Sequence, residues 1–441
     1  MAKDLDKYRL WQHDPKPPRK SEQTVIARVR TQAAPPRSAP SSPSASGRAA
    51  RAAGVSSDSA LSRLLENGHV VSITPVFDDE PRERSGASPA ARGGARGEGR
   101  GGAASTPGWL VEITVRRGTS PSQLAAHVAR MPDVEYAFVP PVRKLFGRRS
   151  TASADPLASR LWGHGAIRLG RARAAARFKN ATGITIAVVD SGIDARHPDL
   201  KGVITEYRNF LPGSDKDFVG HGTHVAGIIA ASAGNGLGIS GVCGGRILAL
   251  KALPRDGDEF DPAAYYRALR YAIGRAQVLN LSLGGEKDPA EIDILRDVID
   301  AGVVVIAAMG NEYAEGNATQ YPAAIRDVCA VGASDELDKR APFSNTGRHI
   351  DLVAPGVSIL ATTPTFRYDG DGEQDYDAWD GTSMATPHVA AAAALVLARS
   401  PGSTPAQVIT KLTSSADRVA GAKKGSAAYG AGRLNCEKAL R

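Results

Sequence analysis

The chain has 441 residues, of which 42% are hydrophobic and 23% charged, and carries a formal net charge of +9. That length exceeds one ordinary core and points to about two domains, while the composition excludes membrane and fibrous classes. The charge is unevenly placed: residues 1–150 hold 24 Lys+Arg against 14 Asp+Glu and the remainder 31 against 32, so the larger part offers no electrostatic footprint for nucleic acid.

Residues 1–22 read as a disordered tail without an apolar core of signal-peptide length, and no stretch approaches the roughly 20 apolar residues of a membrane span. A cytoplasmic protein with no membrane partner is therefore expected. Residues 23–145 read as a small domain with low-complexity insertions at 32–56 and 78–107, rich in Pro, Ser, Gly, Ala and Arg. Such compositions cannot bury enough apolar surface to offset their ordering entropy. Strands are predicted at TVIARVR (24–30), HVVSITPVF (69–77), WLVEITVR (109–116) and VEYAFVPPV (134–142), and a helix at SALSRLLENG (59–68). Ser120-Pro121-Ser122-Gln123 opens a second helix with an N-cap, a proline at the first helical position and a capping-box Gln; Leu124, Val128 and Met131 follow at helical spacing. The order β-α-β-β-α-β predicts a ferredoxin-like α+β domain.

Beyond a linker at 146–154, residues 155–441 alternate strands and helices. GITIAVVD (183–190), RILALKAL (246–253), AQVLNLSL (276–283) and GVVVIAAMG (302–310) are near-continuous apolar runs, as in a parallel sheet covered on both faces. HVAGIIAASA, DPAAYYRALRYAI and DPAEIDILRDVIDAG fall between them as helices. The fold class predicted is α/β, a doubly wound parallel sheet, whose chemistry belongs beyond the carboxyl ends of the strands. Cys243 and Cys329 lie in apolar segments and read as buried thiols; with Cys436 they share no metal-type spacing.

Three chemistry-bearing residues stand at such ends. Asp190 closes the first apolar strand in VVDSGID, His221 opens HGTHVAGIIA, and Ser383 opens the helix in DGTSMATPHVAAAAALVLA. Singly, each could be a turn or helix cap. Together they supply what acyl transfer needs: a hydroxyl nucleophile, an imidazole to take its proton, and a carboxylate to orient the ring. Asn311, in AAMGNE after another strand, offers a side-chain donor for an oxyanion, and the Ser383 N–H offers a second.

The segments VVDSGID, GHGTHVAGIIAA, LNLSLGG, AAMGNE, YPAAI, VAPG and GTSMATPHVAAA, in this order, resemble the subtilisin family of serine proteases. The resemblance implies a serine endopeptidase in which Asp190 orients, His221 is the general base, Ser383 attacks and Asn311 binds the oxyanion, with His224 non-catalytic. It implies that Ser282, Leu283, Gly284 and Gly285 pair with extended polypeptide substrate and that Gly310 lines the primary specificity pocket, near Glu312 and Gln320. It implies a propeptide, matched by the small domain, whose tail within 142–154 lies in the cleft as an intramolecular inhibitor and is cut by the enzyme itself. No organic cofactor is expected. A structural calcium ion is implied at Asp155, Asp199 and Asn235, with an Asn235-capped turn as the alternative. Asp380 stands where family members more often have Asn or Ser, behind an acidic stretch (Asp369, Asp371, Glu373, Asp375, Asp377). A silent binding scaffold on the same fold is the competing reading; such scaffolds usually lose a triad member or the oxyanion Asn, and none is missing.

Overall fold

A computed structural model describes residues 24–30, 61, 63–64, 67, 70–76, 108–116, 118–141, 143–145, 148–149, 158–176, 178–255, 259–368, 373–423 and 425–441. The expected tail, both low-complexity insertions and Asp155 lie outside these residues. The chain divides into two compact units, Met1–Pro140 and Pro141–Arg441.

In the first unit, β1 (Thr24–Arg30), β2 (Val70–Pro75), β3 (Gly108–Val115) and β4 (Val134–Phe138) form an antiparallel sheet ordered β2-β3-β1-β4. This is the order expected of a ferredoxin-like sheet. Helix α1 (Pro121–Val128) begins as its sequence dictates: the Ser120 side chain accepts from the Gln123 N–H and Pro121 takes the first turn. Leu124 and Val128 bury against Val25, Val111 and Ile113, with Leu61 and Leu64 in the same core.

The second unit contains the short strands β5 (Arg143–Leu145) and β6 (Arg148–Arg149), then β7 (Thr185–Asp190), β8 (Ile204–Asn209), β9 (Arg246–Lys251), β10 (Val278–Leu281), β11 (Leu283–Gly285), β12 (Val304–Ala308), β13 (Cys329–Ser334), β14 (Leu352–Pro355), β15 (Ile359–Thr362) and β16 (Tyr376–Asp380). Seven of them form a sheet, parallel throughout, ordered β14-β13-β12-β10-β7-β9-β8. Ile186, Val188, Ile247, Val278, Val304 and Ile306 are buried, as a sheet covered on both faces requires. The chain builds β8 and β9 on one side of β7 and then starts β10 on the other. The winding therefore reverses between β7 and β10, and the crevice of such a sheet opens at their carboxyl ends.

Helices α2 (His221–Ala230), α3 (Pro262–Tyr271), α4 (Pro289–Asp300), α5 (Thr382–Arg399) and α6 (Pro405–Ser414) surround the sheet. Asp261 and Asp288 cap α3 and α4 ahead of a proline, and Thr404 with Gln407 forms a capping box on α6. Helix α5 is buried from Thr382 to Leu397, and its run of alanines lets it lie close against α2, β12 and β13. No helix among the described residues is long and apolar enough to cross a membrane.

Two strand expectations differ from the structure. The run 276–283 is broken at Ser282, because β11 leaves the main sheet. Strands β8 and β13 carry no long apolar run: β8 is a half-exposed edge and β13 is the small-residue segment CAVGAS. Cys243, Cys329 and Cys436 are buried and free, and burial pushes the Cys243 and Cys436 thiols up to about 12, which leaves them unreactive.

His224 and His388 are buried polar residues of the second unit's interior. The His224 ring stacks on Trp379 at 4.6 Å and donates from Nε2 to the Asp377 carbonyl, while His388 Nδ1 donates to the Met384 carbonyl. Burial lowers His224 to about 3 and His388 to about 4, against 6.5 for a free ring. The unfolded chain therefore takes up protons below about pH 6.5 that the folded chain refuses. Stability is fully present above that pH and is lost as it falls towards 4, by up to about 1.4 kcal/mol per pH unit for each ring. Thermal melts followed by circular dichroism should show a Tm that is level from pH 8 to 7 and drops between pH 6.5 and 4.5; a level Tm across that lower window contradicts the assignment.

Candidate active site

Asp190 is the last residue of β7 and His221 the first of α2, so both stand at the carboxyl edge beside the reversal of winding. His221 Nδ1 lies 2.9 Å from both carboxylate oxygens of Asp190, and both side chains are buried. Gly222 makes the approach possible: a Cβ there would strike the Gly192 carbonyl and reach 3.0 Å from the Asp190 Cβ. The Asp190 carboxylate also accepts the Ser191 N–H at 2.7 Å. Ser191 Oγ lies 3.1 Å from Asp190 and 2.8 Å from the carboxylate of Asp217, and it accepts the Gly222 N–H. Asp217 is wholly buried, and burial raises its pKa above the usual carboxylate range. Lys251 Nζ, held by the Ser191 and Lys216 carbonyls, places a positive charge near both acids.

Ser383 lies in the first turn of α5, buried and near the positive end of the helix dipole. Pro387, four residues on, has no N–H to give the Ser383 carbonyl. That carbonyl instead accepts from Ser282 Oγ at 2.9 Å, and Ser282 Oγ in turn accepts from Asn280 Nδ2. Ser383 Oγ donates to the Ser282 carbonyl at 2.9 Å. The structure thus brings Asp190 and His221 into bonding contact and ties Ser383 to Ser282, but it does not join the Ser383 hydroxyl to the imidazole. His221 Nε2 is buried with no hydrogen-bond partner among the described residues.

Asn311 follows β12. Its Oδ1 accepts the Thr382 N–H at 3.0 Å and the Thr382 hydroxyl at 2.9 Å. A backbone N–H can only donate, so the atom facing it must be the amide oxygen, which leaves Nδ2 as a donor on the other side. Thr382 Oγ1 also accepts the Gly310 N–H. Gly310 has φ +99°, and a Cβ there would come within 2.6 Å of Gln320 and Asn345 and 2.7 Å of Glu312. The residues expected near the specificity pocket therefore surround one glycine. The Glu312 carboxylate accepts from the Asn311 N–H and Asn345 Nδ2, and burial raises its pKa.

Leu283, Gly284 and Gly285 form an antiparallel pair with the chain's own β5, in the register Leu283↔Leu145, Gly284↔Lys144 and Gly285↔Arg143. Strand β6 continues the same segment and pairs with β16, Asp380↔Arg148 and Trp379↔Arg149. Just past the C-terminal end of α2, Asp199 and Asn235 are adjacent: Asp199 accepts from Asn235 Nδ2, the Ile239 N–H and the Tyr376 hydroxyl, and Asn235 Oδ1 accepts the Leu237 N–H. That last bond is the Asn-capped turn. Among the described residues no group of three or more His, Cys, Asp or Glu is placed to hold a metal ion.

Thr382, Ser191, Asp217 and Pro387 were missed by sequence reasoning. Thr382 and Pro387 lie inside the GTSMATPH motif and Ser191 inside VVDSGID, which were the available signals; Asp217, 26 residues from Ser191, had none.

A carboxylate-oriented imidazole, together with a buried serine in the first turn of a helix, at the winding reversal of a parallel α/β sheet, defines the class as a serine hydrolase. The sequence model of the subtilase family matches residues 181–432. Subtilisin from Bacillus pumilus is 39% identical over 269 residues, which cover 58% of this chain and 91% of that protein. Subtilisin E from Bacillus subtilis (strain 168) is likewise 39% identical, over 66% of its length. Fervidolysin from Fervidobacterium pennivorans, described as a keratinolytic enzyme related to subtilisin, superposes with a TM-score of 0.65 at 26% identity, covering 75% of this chain and 56% of that one. The chain belongs to the subtilase family and is a subtilisin-like serine endopeptidase.

The Thr382 clamp yields a test. Thr382→Val removes the hydroxyl at nearly constant volume, so kcat towards a peptide substrate should fall about tenfold with KM little changed. That is part of the roughly 10²–10³-fold cost of deleting an oxyanion donor, a magnitude taken from subtilisin itself. Thr382→Ser should recover most of the loss; an unchanged kcat in the valine variant sinks the clamp.

Proposed function

We propose that Asp190, His221 and Ser383 are the catalytic triad of this endopeptidase, with Asn311 Nδ2 and the Ser383 N–H as oxyanion donors. The observation that carries the reading is the imidazole itself: Nδ1 is committed to a buried carboxylate while Nε2 has no partner among the described residues. Attack requires the Ser383 hydroxyl to leave the Ser282 carbonyl and donate to Nε2. The hydroxyl proton then passes to Nε2 as Oγ bonds the substrate carbonyl carbon, and the carbonyl oxygen takes negative charge facing the two donors. Collapse breaks the C–N bond, with Nε2 returning the proton to the leaving amine. Water, activated by the same ring, releases the acyl group from Ser383.

The substrate is polypeptide in extended form, bound by addition of a strand to Leu283–Gly285. The chain's own segment takes that place in β5, and β6, three residues after Leu145, pairs with β16. This supports a self-processing zymogen in which residues 143–149 occupy the cleft as an intramolecular inhibitor, and the bond cut falls between Leu145 and Arg148. Purified full-length chain should acquire a new N-terminus at residue 146, 147 or 148. Ser383→Ala should remain uncut and lose peptide hydrolysis by about 10⁶-fold, again a subtilisin magnitude. N-terminal sequencing and mass spectrometry read both results, and cutting by the alanine variant would falsify the role of Ser383.

The calcium ion implied by the resemblance does not fit Asp199 and Asn235 in their present arrangement. The Asp199 carboxylate and Asn235 Oδ1 already accept N–H or O–H protons, and the Asn235 amide nitrogen faces the carboxylate. EDTA is expected to leave the Tm of the full chain unchanged; a fall of several degrees would show that the loop rearranges around an ion.

A further inference from the structure

We infer that Asp380 makes the enzyme selective for a basic residue on the leaving-group side of the cut bond, at the position that stands opposite it when substrate extends β16. The inference rests on Ser383 being the nucleophile. Asp380 ends β16, three residues before Ser383, and pairs with Arg148, whereas Leu283–Gly285 pairs with residues 143–145, which precede the proposed cut. It is half-buried, and its Oδ1 accepts the Ser358 N–H at 2.6 Å, so the carboxylate is fixed at the rim of the cleft.

The register supplies the second observation. The segment that leaves β11 at Leu145 rejoins the protein at β16, and the residue it sets against Asp380 is Arg148. Directly opposed residues of an antiparallel pair are close neighbours, and opposite charges there attract. A guanidinium also matches a carboxylate in shape better than an ammonium does. Trp379, next along β16, is buried between the His224 ring and the region of His221, with centroids 4.6 and 6.4 Å away, so β16 cannot move its carboxylate outward without disturbing the imidazole. Asp369 and Asp371 lie outside the described residues, and the described acidic residues behind Asp380 do not share its position. Asp377 is buried and accepts the Ala378 N–H and the Trp379 indole N–H, while Glu373 and Asp375 lie exposed at the start of the hairpin. The selective charge is therefore the one at Asp380.

The test uses internally quenched peptides copying residues 142–151 and differing only at the position of Arg148. These are cut by the full chain after its activity has become constant and its active sites have been counted with a serine-directed phosphonate. The expected order of kcat/KM is Arg, Lys, norleucine, Glu, with arginine about tenfold above norleucine, as for one charge-assisted hydrogen bond, and the margin shrinking as salt rises. In Asp380→Asn the four substrates should converge to within about twofold; in Asp380→Lys glutamate should overtake arginine. A second readout lies within the chain: Arg148→Glu should slow self-cleavage, and pairing it with Asp380→Lys should restore it. Wild-type enzyme that cuts all four peptides alike while a parallel sample is labelled by the phosphonate at Ser383, or an arginine preference that survives in Asp380→Asn, overturns the inference and leaves the nucleophile standing. Failure of the phosphonate to label Ser383 overturns both.

Discussion

A carboxylate held in the dry edge of a sheet is the constraint around which this site is built. Removing a charge from water costs several kcal/mol unless donors replace the lost hydration. Asp190 receives its replacements from the Ser191 amide and the His221 ring. Both have to be brought within bonding distance, and the geometry of the neighbourhood follows from that demand. Helix α2 must begin where β7 ends, which the winding of the sheet provides. Its second residue must lack a side chain, which Gly222 provides. A second buried acid, Asp217, shares the single Ser191 hydroxyl proton with Asp190, and the Lys251 ammonium nearby offsets the combined charge.

Ser383, the proposed nucleophile, is positioned by a defect in a helix. An uninterrupted α5 would use the carbonyl of Ser383 for its own ladder, but Pro387 leaves it available to Ser282. Ser282 and Ser383 are thereby joined by two reciprocal hydrogen bonds, each serine giving its hydroxyl proton to the other's carbonyl. The same turn of helix presents Thr382, which fixes the Asn311 amide by its oxygen. One helical turn therefore sets three parts of the site at once, and a helix buried from Thr382 to Leu397 keeps that turn from drifting.

The sequence made some of this legible and hid the rest for physical reasons. The parallel sheet could be read from Val-Ile-Leu runs, because a strand buried on both faces must be apolar throughout. Asp190, His221, Ser383 and Asn311 could be singled out because each follows a strand or opens a helix within a recognisable motif. Asp217 could not: an acid in a loop looks like an ordinary turn residue until the fold places it against Ser191, whose own place in VVDSGID did not reveal that partner. The break at Ser282 was equally hidden, since nothing in LNLSLGG marks where a strand leaves one sheet for another. Strand β5 is basic and lacks alternation, and only its partner β11 makes it a strand.

The pairing of β5 with β11 has a kinetic corollary. A ligand carried on the same polymer competes at a local concentration near the millimolar range, whatever the dilution of the sample. A peptide arriving from solution must outcompete that tethered rival before it can occupy Leu283–Gly285. If the chain is cut past Leu145 as proposed, identical contacts operate only at bulk concentration, and dilution alone can then free the groove.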